Sequence, residues 1–242
     1  MNYYVDIHAN LLPGLPAVGG GTLSAEAAAE RIAALRDSNI KIAVAAPFFD
    51  PEQHEPAEFL RLRDEKLEAL RSAAAPMRLV SGAVLPFRYC VDHPRELKPF
   101  VLGESGYLML DLPREKVSPE LCEEIKRLQI VSGLFPIAVD IDRFFDLWTP
   151  EDWIVLRQTG ILLQISVNGI LQQAYRKLSL YLLANQYAHF VSTGARRIDE
   201  PLNFTEAMRL IQRSLPAQYY RRIKNNAGML LSNAEPASFL SV

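Results

Sequence analysis

Short apolar runs alternate with amphipathic helical stretches along all 242 residues, and this alternation limits the fold more than any other feature. Strand-like runs open the chain up to a Leu12-Pro13-Gly14 turn and recur at 40–46, 77–85, 106–113, 134–139, 161–167 and, with its loop, 189–197. Helical stretches fall between them at 25–37, 58–74, 119–132, 150–159 and 175–185, and the rest is helical over 204–214, 217–224 and 225–232. Strands separated by helices of this length predict crossover connections and parallel pairing. The run 40–46 is apolar but for Lys41, with β-branched Ile40, Ile42 and Val44, and reads as a buried strand. The helices carry their own start signals. Ser24 caps the first, and Thr149-Pro150-Glu151-Asp152 supplies a cap, a first-turn proline and acids at the positive dipole end. No linker or change of composition interrupts the pattern, so 1–242 is expected to form a single domain with ample core.

The strand ends carry the polar residues. Asp6, His8 and Asn10 fall at i, i+2 and i+4 of the first run, with Tyr3, Val5 and Ile7 on the opposite face. An acid, an imidazole and an amide at the C-terminal end of a strand are placed where a parallel α/β barrel builds its active site. Taken alone, the same residues fit an ordinary first strand with a hydrogen-bonded Asp-His pair. Lys and Arg number 26 against 28 Asp and Glu, so nothing marks a nucleic-acid or membrane surface. No apolar run is long enough for a bilayer. Met1-Asn2-Tyr3-Tyr4 leads straight into the first strand, which predicts a cytoplasmic chain without a signal peptide. Cys90 and Cys122 lack metal-type spacing and read as reduced thiols. Cys90 is followed by Arg95 without a Gly-rich cradle, which excludes a cysteine phosphatase loop. Ser192 and Thr193 lack a nucleophile elbow, and Gly19-Gly20-Gly21 lacks the Lys-Ser/Thr of a phosphate loop. Asp140 and Asp142 form a candidate acid/base pair on one loop, although solvated loop acids are commoner.

Asp6-Ile7-His8-Ala9-Asn10-Leu11-Leu12-Pro13-Gly14 resembles the opening Asp-x-His-x-His…Leu-Pro-Gly of the polymerase and histidinol phosphatase (PHP) superfamily. Within it the match is to the bacterial CpsB-type capsule and exopolysaccharide tyrosine phosphatases. The resemblance runs nearly full length and implies a distorted parallel β/α, TIM-like barrel carrying a divalent-metal cluster. The chain departs from the motifs at the ligand positions. Asn10 stands for the second histidine, Phe48-Phe49 for a His-His pair, and Val84 for a glutamate. Asp111 keeps a carboxylate where the family has a metal-bridging glutamate. Asp140-Ile141-Asp142-Arg143 stands where the family has His-Pro-Glu-Arg. Gly194 and Arg196 take the places of an aspartate and a histidine.

What survives is a vestigial metal set of His8, Asn10, Asp111 and Asp140, with Asp6 expected to orient a ligand from behind. His54, in the loop after the second strand, is a weak substitute, and His93 is expected on the surface. Phe48 and Phe49 are expected to fill the pocket with apolar bulk. Arg196 is expected beside Asp111 and Asp140, supplying a fixed positive charge in place of an ion. Arg143 and Arg196, with Arg197, are candidates for binding an anion at the mouth; the plainer alternative pairs Arg143 with Asp142 or Asp146. The resemblance therefore implies a degenerate phosphatase-like protein needing no cofactor. It would serve as a binding or regulatory module for a phosphotyrosine protein, a catalytic paralogue or a second copy of itself. The alternative is an active phosphoesterase with a reduced manganese or other divalent-metal site.

Overall fold

The structure, a computed structural model, describes residues 3–194, 196–197, 199–200 and 202–240. All strand pairings in its two sheets are parallel. The first sheet holds β1 (Tyr4–Ala9), β2 (Ile40–Ala45) and β3 (Arg78–Ser81) in that order. The second holds β4 (Val84–Pro86), β5 (Tyr107–Asp111), β6 (Phe135–Ala138), β7 (Leu162–Ser166) and β8 (Phe190–Ser192), also in chain order. Helices α1 (Ala25–Asp37), α2 (Pro56–Ala74), α4 (Pro119–Ser132), α5 (Pro150–Arg157) and α7 (Gln173–Ala184) follow strands as crossovers. Shorter helices α3 (Phe87–Asp92) and α6 (Val167–Leu171) begin directly at strand ends, and α8 (Phe204–Ser214), α9 (Ala217–Leu231) and α10 (Ala237–Leu240) complete the chain.

The expected strand over 77–85 is bent in two. At Gly82 a Cβ would lie 2.6 Å from Val44 Cγ1, so only glycine lets the chain cross so close to β2. After the bend the strand still pairs with the extension of β2, Val84 N donating to Pro47 O at 3.0 Å and Phe49 N to Val84 O at 2.9 Å. It also pairs with β5. The bend thus joins the two sheets. On the far side Gly194 N donates to His8 O at 3.0 Å, bringing the end of β8 against β1. The two tail helices expected at 217–224 and 225–232 are one continuous α9.

The inner faces of the strands follow the two-residue period. Val44 and Ala46, Met109, Ile137, Leu162 and Phe190 form an inner apolar cluster. Two residues further along their strands, Asp111 follows Met109, Gln164 follows Leu162 and Ser192 follows Phe190. Polar groups therefore gather at the C-terminal ends. Between strands and helices lies the larger outer core.

His189 is a core histidine. Its Nδ1 accepts from Leu163 N at 3.0 Å, and Asn226 Nδ2 donates to its carbonyl at 2.8 Å. Burial pushes its pKa from 6.5 down to about 3, with Arg157 and Arg222 acting in the same direction. The unfolded chain then binds more protons than the folded one between these values, so this group removes stability as pH falls from 6.5 toward 3. Urea unfolding across that range should show His189→Asn losing less stability on acidification than wild type.

Candidate active site

Asp6 stands at the join between β1 and β8. Its carboxylate accepts from His8 N at 3.1 Å, from Thr193 N at 3.3 Å and from Thr193 Oγ1 at 2.6 Å. It engages the backbone of His8, not the imidazole, so it braces the strand ends and does not orient the ring. Burial raises its pKa to about 6 against the opposing effect of these hydrogen bonds. Thr193→Val removes one donor to a fully buried carboxyl, and its expected cost, read by urea unfolding, is about 1–3 kcal/mol.

His8 turns toward β7. Its Nδ1 lies 3.3 Å from Gln164 Oε1, which also accepts from Asp140 N at 3.0 Å. The backbone N–H fixes that atom as the amide oxygen, so His8 Nδ1 carries a hydrogen and donates. Asp140 Oδ1 is 3.7 Å from the same nitrogen. Asp140 takes the left-handed conformation, φ 50° and ψ 47°, at the end of β6, a region aspartate tolerates better than most residues. Its carboxyl is fully buried, and neither oxygen has a hydrogen-bond partner among the described residues. Burial, reinforced by the Asp142 charge, pushes its pKa well above the carboxylate range. Burial lowers His8 to about 4, the Gln164 bond opposing and Arg196 assisting. Near neutral pH the imidazole is therefore uncharged, and burial favours the protonated form of Asp140 beside it.

Asp140 and Asp142 do not form a solvated acid pair. Asp142 accepts from Ser166 N and Ser166 Oγ, both at 2.8 Å, at the start of α6. Asn10 is buried, with both side-chain polar atoms unpartnered among the described residues, and its carbonyl accepts from Arg31 at 3.4 Å. The β1–β2 register shifts between Asp6 and Ala9, so plain alternation does not carry Asp6 and His8 to the same partners.

Asp111, at the end of β5, is gripped by two cations. Arg143 Nη2 lies 2.9 Å and Arg196 Nη1 3.1 Å from the same oxygen, Oδ1. Arg143 thus pairs with Asp111 and not with Asp142 or Asp146, and Arg114 takes Asp146 at 2.8 Å. Arg143 also donates to Leu112 O and lies 4.4 Å above the Phe144 ring. Arg196 reaches Asp111 from the segment that follows β8, and its carbonyl accepts from Gly19 N at 2.9 Å. Arg197 is exposed and forms a bidentate pair with Asp199.

The phenylalanines separate. Consecutive extended residues point in opposite directions, so Phe49 enters the outer core against Phe59, Tyr89 and Phe100 at ring distances of 4.9–5.2 Å, and only Phe48 lies against the inner cluster. His54 packs by its ring 6.3 Å from Phe59, and exposed His93 lies on Tyr89. Neither belongs to the site.

Gln164 and Thr193 are the positioning residues that the pattern of strand ends undervalued. The signal for Gln164 was its place two residues beyond Leu162, on the inner face of β7.

A metal cluster does not fit these residues. One imidazole, one buried carboxyl and one amide make a sparse donor set for a metal cluster. Two guanidiniums hold the remaining carboxylate, and no three His, Cys, Asp or Glu converge among the described residues. Added manganese is accordingly expected to leave the melting temperature unchanged; a concentration-dependent rise would contradict this assignment.

Whole-chain likenesses to solved structures show the same fold. The chain covers 96% of itself and 95% of a structure reported under YwqE from Bacillus subtilis and CpsB from Streptococcus pneumoniae, described as unique metal-dependent tyrosine phosphatases, at 20% identity and TM-score 0.79. It also resembles a variant of organophosphorus hydrolase from Deinococcus radiodurans (13% identity, 94% and 92% covered, TM-score 0.54). A third likeness is to the phosphotriesterase homology protein of Escherichia coli, solved with phosphate in its active site (10%, 94% and 98%, TM-score 0.54). No curated protein matches in sequence. Residues 4–232 match the model of the family described as capsular polysaccharide synthesis, CpsB/CapC. The chain belongs to that family.

Proposed function

We propose that this chain is a non-catalytic member of its family, a pseudophosphatase whose strands close into a ring and whose mouth serves binding or regulation in capsule or exopolysaccharide synthesis. It works in the cytoplasm on a phosphotyrosine-bearing protein, a catalytic paralogue or a second copy of itself. The observation that carries this reading is the 3.1 Å contact of Arg196 with Asp111. A permanent guanidinium, which cannot be deprotonated in a protein, lies against the carboxylate that stands where the resemblance implies a metal-bridging ligand. No metal or other cofactor is required. Among the described residues no helix is long and apolar enough to cross a membrane.

A reduced phosphoesterase site is the second reading. The unpartnered oxygens of Asp140 and the unpartnered Oδ1 of Asn10 favour it, since a small cation would satisfy them. Turnover of an aryl phosphate, measured with and without manganese, separates the two. The non-catalytic reading expects no turnover in either condition, and manganese-dependent hydrolysis would replace it with the second.

A further inference from the structure

Both tryptophans of the chain, Trp148 and Trp153, line one cavity on the outside of the fold, between α5 and α7. Its volume is about 160 Å³, and Ile154, Leu178, Tyr181 and Tyr187 form much of its wall. The walls are already in place. Trp148 stacks on Phe144 at 3.9 Å, meets Trp153 edge-on at 4.9 Å and donates through Nε1 to Glu115 O at 2.8 Å. The Tyr181 and Tyr187 rings lie nearly parallel, 6.2 Å apart. The rim stays in solvent: Ile154 is 45% and Tyr181 56% exposed. A cavity of this size accepts one benzene-sized ring, for which about 150 Å³ suffices, and aromatic walls favour an aromatic guest.

Charge selects the kind of segment that carries the ring. Residues 153–198, which supply α7 and most of the cavity wall, contain no Asp or Glu, in a chain with 28 of them. Of their cations, Arg196 and Arg197 are held by Asp111 and Asp199, and Arg176 donates to the carbonyls of Ile170 and Leu171. Arg157 and Lys177 are left. The Arg157 guanidinium lies 5.3 Å from the centre of the Tyr187 ring, with one long hydrogen bond to Asn185 O at 3.5 Å. Lys177 is exposed, one helical turn before Tyr181 on the same face of α7. Neither has an acidic partner among the described residues. The acids on the other side are engaged or distant: Asp152 caps α5 with Thr149, Glu115 pairs with Arg88, and Glu151 stands in the first turn of α5, at the opposite end of that helix from Arg157.

We infer that this cavity docks an acidic polypeptide segment of a partner protein, with one aromatic side chain of that segment in the cavity and its carboxylates against Arg157 and Lys177. Two cations beside a single-ring cavity suit a short acidic segment better than a bilayer or a nucleic acid, each of which is held by a broad basic cluster. The cavity shares no residue with the strand-end site, and the inference holds whether that site is catalytic or not.

Intrinsic fluorescence reads this cavity directly, because it holds both tryptophans. The probe is the end-capped peptide Glu-Asp-Phe-Asp-Glu, titrated into the full chain at low salt, with calorimetry as a second readout. It should bind saturably with a Kd of about 1 mM or tighter and weaken as salt is added. Peptides with Ala in place of Phe, or with Lys in place of the four acids, should bind about tenfold more weakly or not at all, the first because it buries no phenyl ring. Tyr181→Ala and Lys177→Glu alter exposed positions, and each should weaken the acidic peptide by about threefold or more; should one fail to fold by circular dichroism, the other decides. No saturable binding in either readout, equal binding of the Ala peptide, or unchanged affinity in a folded variant overturns the inference. Binding of phosphatidylserine vesicles or of single-stranded DNA without binding of the peptide also overturns it.

Discussion

Phe49→Ala should lower the unfolding free energy by about 3–5 kcal/mol, the usual range for deleting a fully buried phenylalanine. The ring is wholly buried and meets three other aromatic rings, two edge-on. Its removal forfeits the transfer free energy and leaves a cavity that the neighbouring α2 and α3 can only partly close. The residue lies just beyond β2, where its backbone N–H pairs with Val84 O, so relaxation there is restrained by the sheet. Phe48→Ala is the control. It is only partly buried, and its expected loss is about 1 kcal/mol, in proportion to the smaller apolar area removed from water. Urea unfolding of both variants checks the difference. Equal losses would mean that the two rings share one environment, against the split between outer and inner cores.

Gly194→Ala should be nearly as damaging, at about 3 kcal/mol. Gly194 has φ +55°, where a Cβ is strained, and that Cβ would come within 2.3 Å of Asp140 Oδ1 and 3.2 Å of Ser166 Cβ. Strain at left-handed backbone costs roughly 1–3 kcal/mol, and displacing a buried carboxyl adds to it. Residues 140 and 194 are thus matched: the carboxyl at 140 fills the space that a side chain at 194 would claim. Gly194→Ala combined with Asp140→Ala should recover part of the loss, whereas additive losses in thermal melts would show that the two sites do not share that space.

Parallel strands, crossover helices and their caps were legible in the sequence because they depend on local period and on residues such as Ser24 and Thr149. The bend at Gly82 was not, since it arises from an approach to Val44 that no local pattern records. The strand-end positions of Asp6, His8, Asp111 and Asp140 were readable, but their partners were not. Arg143 could be assigned to nearby acids by sequence proximity, and only the fold brings Asp111 to it from another strand. Alternation predicted one shared face for Asp6, His8 and Asn10; the register shift in β1 sends Asp6 to Thr193 and His8 to Gln164. The Phe48-Phe49 pair misled in the opposite sense, since adjacent extended residues cannot fill the same pocket.

The resemblance implies a metal ligand at the position of Arg196, and we propose that its guanidinium stands in for an ion beside Asp111. Metal content by plasma mass spectrometry, on protein purified without chelator, tests it most directly. The account predicts far less than one equivalent of any divalent metal per chain. One or more equivalents, lost in His8→Ala or Asp140→Ala, would contradict it and place the ion among the residues whose polar atoms are unpartnered.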